Sequence, residues 1–411
     1  MRRLSALAIL ACACAHAPPQ QRPAQAQEHP APAQSTVAER QRLLDMPSSL
    51  LHKEALELMA QRSWAGAKER LEAFLAREPG HAGALFEAGW VEEQLGDAKG
   101  AAELYGRSLG SDPGYAAAAV NLSRLLQAEP ERAESILRTV LRQRSGDPRL
   151  LNALATVLRR RNRLAEAAAL VQKALERHPR DAEAYRNLAA IEADKGHLRL
   201  AESALHNARK LDPTDAGIPN SLGLLALRRD DVGAARAAFE EAAQLDPEFA
   251  PAWVNLGALA LRYRDYATAE QAWAKAVRLE PGRWESHLAR AWALEGLRKP
   301  RDARAEYEKV LAIDPHQDDA LYGKALALKA EGDLAAALLA FREYVGRPGA
   351  GRLKQAQEQL AAIDLRLKHA PPAMAKTTPK SGLDLSKLPQ GEDSGPSPEQ
   401  LPAVDEAEVV R

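Results

Sequence analysis

The sequence has almost no cysteine, few aromatic residues and no net charge. Its two cysteines stand together at Cys12 and Cys14, so the rest of the chain has neither a disulfide framework nor thiol chemistry. Lysine plus arginine and aspartate plus glutamate number 56 each, a formal net charge of +0. No global field therefore gathers nucleic acid or an acidic membrane surface. The N-terminal apolar run, Leu4 to Ala11, is too short to cross a bilayer core of about 30 Å as a helix. Phosphate-cradling glycine loops, the H-E-x-x-H zinc motif, the G-x-S-x-G nucleophile turn and paired C-x-x-C are all missing. The histidines are scattered, from His52 and His81 to His316 and His369, and none has a partner at metal-ligand spacing. No catalytic, cofactor-binding or metal-binding residue is predicted, and no small-molecule substrate.

What is present is a pattern of short amphipathic helices. From Ala250 to Gly282 the apolar residues Trp253, Leu256, Gly257 and Ala260 follow helical spacing, and Ala269, Trp273, Ala276 and Val277 repeat it. Arg264, Asp265 and Tyr266 are expected to turn the chain between the two helices. Pro281 closes the unit, because proline lacks the N–H and the φ freedom to continue a helix.

The unit recurs. Closing prolines at Pro79, Pro113, Pro148, Pro179, Pro213, Pro247, Pro281, Pro315 and Pro348 give steps of 34, 35, 31, 34, 34, 34, 34 and 33 residues. Twelve residues before most of them stands an alanine, in the series Ala67, Ala101, Ala167, Ala201, Ala235, Ala269, Ala303 and Ala337. Four residues beyond each alanine comes a large residue: Leu71, Tyr105, Val171, Leu205, Phe239, Trp273, Tyr307 and Phe341. A helix pair on this period resembles the tetratricopeptide (TPR) repeat. The resemblance implies an all-α, right-handed superhelical solenoid of about nine helix-turn-helix repeats over residues 48–348. The third repeat is irregular, with Pro130 early and a lengthened exit through Arg144 to Asp147. Repeat eight carries Arg290 where a leucine is expected, and an arginine on a buried stripe needs a partner or a path to water. Residues 349–369 supply a capping helix through Leu353, Ala356, Leu360, Ile363 and Leu367, the cap a solenoid needs to remain soluble.

The ends of the chain differ in composition. Met1-Arg2-Arg3 and the apolar run read as a secretory signal over residues 1–12. Ile9-Leu10-Ala11-Cys12 resembles the bacterial lipobox, which implies lipidation at Cys12; Cys14 is a second candidate, and cleavage after Ala15-His16-Ala17 would instead release a soluble periplasmic protein. Residues 13–47 form a Pro/Gln-rich tether and a short helix with a capping box at Thr36 and Glu39. Residues 370–411 are rich in Pro, Ser and acid and are expected to be disordered; from Asp384 onward seven acids face Lys387 and Arg411, a net of −5.

In TPR proteins the first helix of each pair lines the concave face. Carried onto this chain, that resemblance implies a groove of Phe86 and Trp90, with Glu93, in repeat two, and of Arg124, Asn152, Arg159, Arg160 and Arg186, with Arg149, in repeats three to five. Leu224, Leu227, Val254, Leu261, Leu288 and Trp292 follow in repeats six to eight. A basic middle and an apolar end suit a peptide with acids at one end and apolar anchors at the other. The fold and lipobox together resemble Gram-negative TPR lipoproteins of pilus or secretin assembly and of myxobacterial gliding motility. They imply a non-catalytic scaffold in the outer membrane, facing the periplasm, that binds envelope proteins through its concave face and the membrane through its lipid. The alternative is a regulatory or substrate-presenting subunit of a cell-wall enzyme.

Overall fold

The computed structural model describes residues 42–43, 45–348 and 351–369, and all regular structure among them is helical. The signal, the lipobox with Cys12, most of the tether with Thr36 and Glu39, and residues 370–411 lie outside the described residues. The chain divides into two compact units between Leu225 and Ala226. In the N-terminal unit, α1 (Ser48–Ala60) pairs with α2 (Trp64–Arg77), α3 (Ala82–Leu95) with α4 (Ala98–Ser111) and α5 (Ala116–Leu125) with α6 (Pro130–Gln143). There too α7 (Pro148–Arg160) pairs with α8 (Leu164–Arg177) and α9 (Ala182–Asp194) with α10 (Leu198–Leu211), and the unit division falls inside α11 (Gly217–Arg228). The C-terminal unit continues with α12 (Val232–Leu245) and the pairs α13 (Ala250–Arg262) with α14 (Tyr266–Leu279) and α15 (Trp284–Gly296) with α16 (Pro300–Ile313). It ends with α17 (Asp318–Glu331) paired with α18 (Leu334–Val345), and with α19 (Leu353–Lys368) packed on α18. This is the helix-turn-helix arrangement of a TPR solenoid.

Local rules set the helix ends. Seven prolines, Pro79, Pro113, Pro179, Pro213, Pro247, Pro281 and Pro315, stand two residues past a second helix. Proline clashes with a helical conformation of the residue before it. Those preceding residues accordingly leave the helical region, with Glu78 at φ −124°, ψ 65° and Asp246 at φ −134°, ψ 98°. Aspartates cap the following helices: Asp97, Asp181, Asp231, Asp265 and Asp333 each accept a backbone N–H three residues on. The turn in repeat seven sits one residue earlier than expected, over Tyr263, Arg264 and Asp265, because Asp265 caps α14.

Pro148 was grouped with the closing prolines, and the structure corrects this. It is the first residue of α7, where its missing N–H costs nothing and its φ suits the helix. Ser145 takes the place two residues past α6. The irregularity of repeat three is therefore a short first helix, the 10-residue α5, followed by a full 14-residue α6. Its core is unbroken: one hydrophobic cluster runs from Ala101 through Leu122, Ala133 and Leu137 to Ile191.

The packing is large into small. Each of the eight repeat alanines, Ala67 to Ala337, is 0% exposed, and the large residues four positions on are all buried. Gly257 lies so near its repeat's second helix that a Cβ there would be 2.7 Å from the Trp273 ring nitrogen. A Cβ at Gly89 would be 2.8 Å from the Tyr105 ring, and one at Gly323 would be 2.3 Å from Tyr307. The residues before Ser48 share this core. Leu43 and Met46 are buried in the cluster of Leu51, Leu71 and Phe74, and the Arg77 guanidinium donates to both of their carbonyl oxygens, 3.0 Å from that of Leu43. At the far end, Ala356, Leu360 and Ile363 of α19 are buried against α18, with Leu353 and Leu367 partly covered.

Two glycine substitutions should move stability in opposite directions. Alanine favours a helix over glycine by about 1 kcal/mol. Gly106→Ala, where nothing lies within 4 Å, should raise the thermal midpoint followed by circular dichroism. Gly323→Ala should lower it, because displacing the buried Tyr307 ring costs about 1–3 kcal/mol. A rise in both would show that the ring yields freely.

Candidate interaction surface

Within each unit the first helices of adjacent repeats touch: α5 with α7, α7 with α9, and α13 with α15. Second helices make no contact of that extent with one another. The first helices therefore form one side of each unit, and side chains there meet counterparts about one repeat away.

The arginines expected to give this face a basic middle are already engaged. Arg124 binds Glu93 across repeats three and two, and Glu93 also accepts from the Tyr105 hydroxyl at 2.6 Å. Arg159 binds Asp194 at 2.8 Å, and Arg186, a half-buried residue, binds Asp215. Arg149 folds back on Asp147 at 3.0 Å, and Arg160 is exposed. Asn152 is buried, donating to Asp181 at 3.0 Å. The basic middle of the sequence reading is thus a set of bonds between consecutive repeats. Charge that is neutralised within the chain offers little to an acidic peptide.

The apolar part also needs correction. Leu224, Leu227 and Leu288 are buried, so they pack the array and are not available to a partner. Val254, Leu261 and Trp292 are half-buried and keep a face to solvent in the C-terminal unit. In the N-terminal unit, Phe86 sits between the rings of Tyr105 and Tyr115, at 5.6 and 5.5 Å. Trp90 meets Trp64 edge to face at 5.1 Å. Those two indoles, with Met59, Ala60 and Arg62, line a cavity of about 420 Å³. Aromatic side chains of this kind, rigid and partly exposed, are the usual anchors of protein interfaces.

Two buried clusters escaped the sequence reading. Glu134 on α6 receives Arg138 at 2.8 Å, Arg163 at 2.7 Å and Arg161. This ties the irregular third repeat to the turn of the fourth. Burial alone would push the Glu134 carboxyl up, but the three guanidinium groups outweigh it and hold it below the usual range. In the C-terminal unit Arg290 finds the partner it requires, binding Glu270 at 2.9 Å and Glu306 at 3.1 Å. Glu306 also lies 2.5 Å from the buried His287 and 2.9 Å from Lys309. Burial pushes Glu306 up, and the bonds from His287 and Lys309 with the charge of Arg290 bring it below the ordinary carboxylate range. Helical spacing displays only the Glu134–Arg138 and Glu306–Lys309 pairs; the other members lie 16 to 29 residues from their partners, and on other elements.

A chain built of stacked helix pairs, each closed by a proline turn and locked by an alanine against a large residue, is a helical repeat protein. It belongs to the tetratricopeptide repeat family. One tetratricopeptide repeat pattern matches residues 52–116, 188–249, 220–283 and 288–352, and a second matches 92–157 and 127–191. Among solved structures, the chain is similar to IFIT1, in a monomeric mutant solved with Gppp-AAAA, at 16% identity and a TM-score of 0.50, covering 76% of this chain and 79% of that one. It is also similar to yeast Tom70 at 13% identity and a TM-score of 0.35, covering 80% and 98%. A tetratricopeptide repeat protein of Parabacteroides merdae has 18% identity and a TM-score of 0.34, with 69% and 98% covered. At these identities the likeness is one of fold. No curated protein matches the sequence.

The pairing of Arg159 with Asp194 predicts a charge-swap outcome. Arg159→Asp should lower stability by about 1–2 kcal/mol, since a half-buried pair becomes a like-charge contact. Adding Asp194→Arg should recover most of it; no recovery would mean that the pair contributes nothing.

Acid should release the Glu306 cluster. A carboxylate whose pKa is depressed on folding contributes stability above its unfolded pKa of about 4.3, and that contribution is lost as pH falls through the lower folded value. At pH 7, Glu306→Gln should cost about 3 kcal/mol, because it removes the buried carboxylate that Arg290 and His287 share. The gap between the thermal midpoints of wild type and variant should close below about pH 4. A gap that stays constant to pH 3 would contradict the assignment.

Proposed function

We propose that the chain is a non-catalytic protein–protein interaction scaffold, lipid-anchored through Cys12 in the outer membrane of a Gram-negative envelope and facing the periplasm. There it assembles a multiprotein machine of the motility, pilus or secretion type. TPR arrays typically serve as interaction scaffolds, not as enzymes. The observation that carries the reading is the character of the first-helix face: its groove arginines Arg124, Arg159 and Arg186 are neutralised internally. What the first helices of each unit leave uncovered is aromatic and aliphatic: Trp90, beside the cavity it lines with the buried Trp64, in the N-terminal unit, and Val254, Leu261 and Trp292 in the C-terminal unit. A partner is held by apolar anchors entering those places, with charge steering secondary. The anchor reading is supported by Ile9-Leu10-Ala11-Cys12 behind a basic start and a short apolar run.

Partner recovery from crosslinked envelope fractions tests this. Trp90→Ala and Trp292→Ala should each weaken recovery by about 30-fold, equivalent to about 2 kcal/mol for an anchor residue, while helicity by circular dichroism is retained. Radiolabelled palmitate should enter the protein and be lost in Cys12→Ser. Undiminished recovery in both well-folded tryptophan variants would remove the first-helix face as the binding surface, and label that survives Cys12→Ser would remove the anchor.

A further inference from the structure

Arginines of the C-terminal unit are mostly paired: Arg283, Arg290, Arg304, Arg347 and Arg352 each bind an acid. Of the exposed cations without an acidic partner among the described residues, which include Arg278 and Arg366, five gather at two turns. They are Arg262, which ends α13, and Arg264 in the turn of repeat seven, and Arg298 and Lys299 in the turn of repeat eight with Arg301 in the first turn of α16. None of the five has an acidic partner among the described residues. Arg262 lies instead over the ring of the exposed Tyr263, 5.8 Å from its centre. The acids on these turns are Asp265, already bound by Arg236 at 2.6 Å and by the Thr268 N–H, and Asp302 beside Arg301. The two turns adjoin, because the Tyr266 ring that opens α14 lies where a Cβ at Gly296, the end of α15, would come within 2.3 Å of it. The cations thus form one edge.

Two of these cations sit at the left-handed position of their turns. Arg264 and Arg298 adopt φ of 58° and 56°, the left-handed region. Each immediately precedes the N-cap of a second helix. In other turns that place is held by Gly96, Gly196 and Gly332, at φ of 89°, 83° and 90°, and by Arg62, Asn162 and Asp230, at 59°, 57° and 60°. Glycine adopts this conformation without strain, whereas arginine does not.

We propose that this edge docks the chain's own acidic segment, residues 384–411. The segment carries seven acids against Lys387 and Arg411, a net of −5 opposite five unpaired cations. It belongs to the chain that leaves α19, which packs on α18 of repeat nine, the repeat next to the edge. Helices pack about 10 Å apart, so the edge lies some two or three such steps from the end of α19. Residues 370–411 reach about 35 Å even as a flexible coil. The contact is charge-assisted and solvent-exposed, so salt weakens it and a more acidic competitor releases the segment.

The test uses the full chain and a zero-length carbodiimide, which joins the Lys299 amine to a nearby carboxylate. Lys299 should crosslink to acids of 384–411 about fivefold more than Lys53 or Lys68, with the excess lost at about 0.5 M salt. Crosslinks should join residues of one chain when isotopically labelled and unlabelled protein are mixed. Arg264→Gly/Arg298→Gly removes two charges and relaxes the backbone. It should cut the crosslink about fivefold, with a thermal midpoint unchanged or higher. A Lys299 yield no greater than at Lys53 or Lys68, a yield indifferent to the double glycine variant, or crosslinks confined to mixed pairs would each overturn the proposal. Phosphatidylglycerol vesicles separate the other anionic source. Neutralising the tail with Asp405→Asn/Glu406→Gln/Glu408→Gln should raise vesicle binding by exposing the edge; binding through the edge that does not change would assign it to a membrane and overturn tail docking.

Discussion

Helices of 10 to 16 residues cannot stand alone in water, and every feature of this chain follows from the need to cover their apolar sides. A pair does not suffice, since each helix has more apolar surface than one neighbour can bury, so the chain repeats the pair and builds clusters of buried residues across neighbouring repeats. The closest contact in that arrangement is between a small residue and a large one. Ala269 and Gly257 leave room that Trp273 occupies, and Ala101 with Gly89 does the same for Tyr105. Dispersion and apolar burial both depend on this approach, which is why a glycine persists inside helices where propensity alone would disfavour it.

Because the contact recurs once per repeat, the period was visible in the order of residues. Ala67 to Ala337 and Leu71 to Phe341 mark it, and all sixteen positions are buried. The helix ends were legible for the same reason, as proline and aspartate act on residues two or three away. Pro148 misled because a proline can either follow a helix or begin one, and the residues around it do not distinguish the two. The site was less legible than the fold. Position within a repeat indicates which side of a helix a residue occupies; it does not indicate what faces it. The partners of Arg124, Arg159 and Arg186 lie 31, 35 and 29 residues away. A search for opposite charges one period apart would have found all three. Leu224, Leu227 and Leu288 were misread for a related reason, as neighbouring repeats cover part of the side that a single helix pair leaves open.

Those internal pairs change what the first-helix face can do. An exposed arginine recruits acids, whereas one bound to the next repeat holds two repeats in register and excludes like charges from the groove. Glu134 with its three arginines applies the same device at the one shortened helix pair, where α5 contributes less apolar surface than its counterparts. Neutralised in this way, the face discriminates by shape and by apolar contact, which places the weight of recognition on indole rings and their cavity.

Charge that is spent on stacking cannot also serve a partner, so the five gathered cations of the C-terminal unit stand apart from the rest. They lie in or beside two adjoining turns, and two of them occupy backbone positions at which a side chain is a disadvantage. A solenoid with formal net charge +0 whose sequence gathers acids in one terminal segment, while one edge carries cations without an acidic partner among the described residues, has separated its charges, not lost them. Such separation is electrostatically unfavourable unless the two regions meet each other or meet something else. The first outcome keeps the edge closed until a competitor arrives, and the second would make binding at the edge independent of the segment. The array thereby carries two surfaces with different chemistry: an apolar side chosen by fit, and a cationic edge whose availability depends on ionic strength and on the occupancy of the chain's own acids.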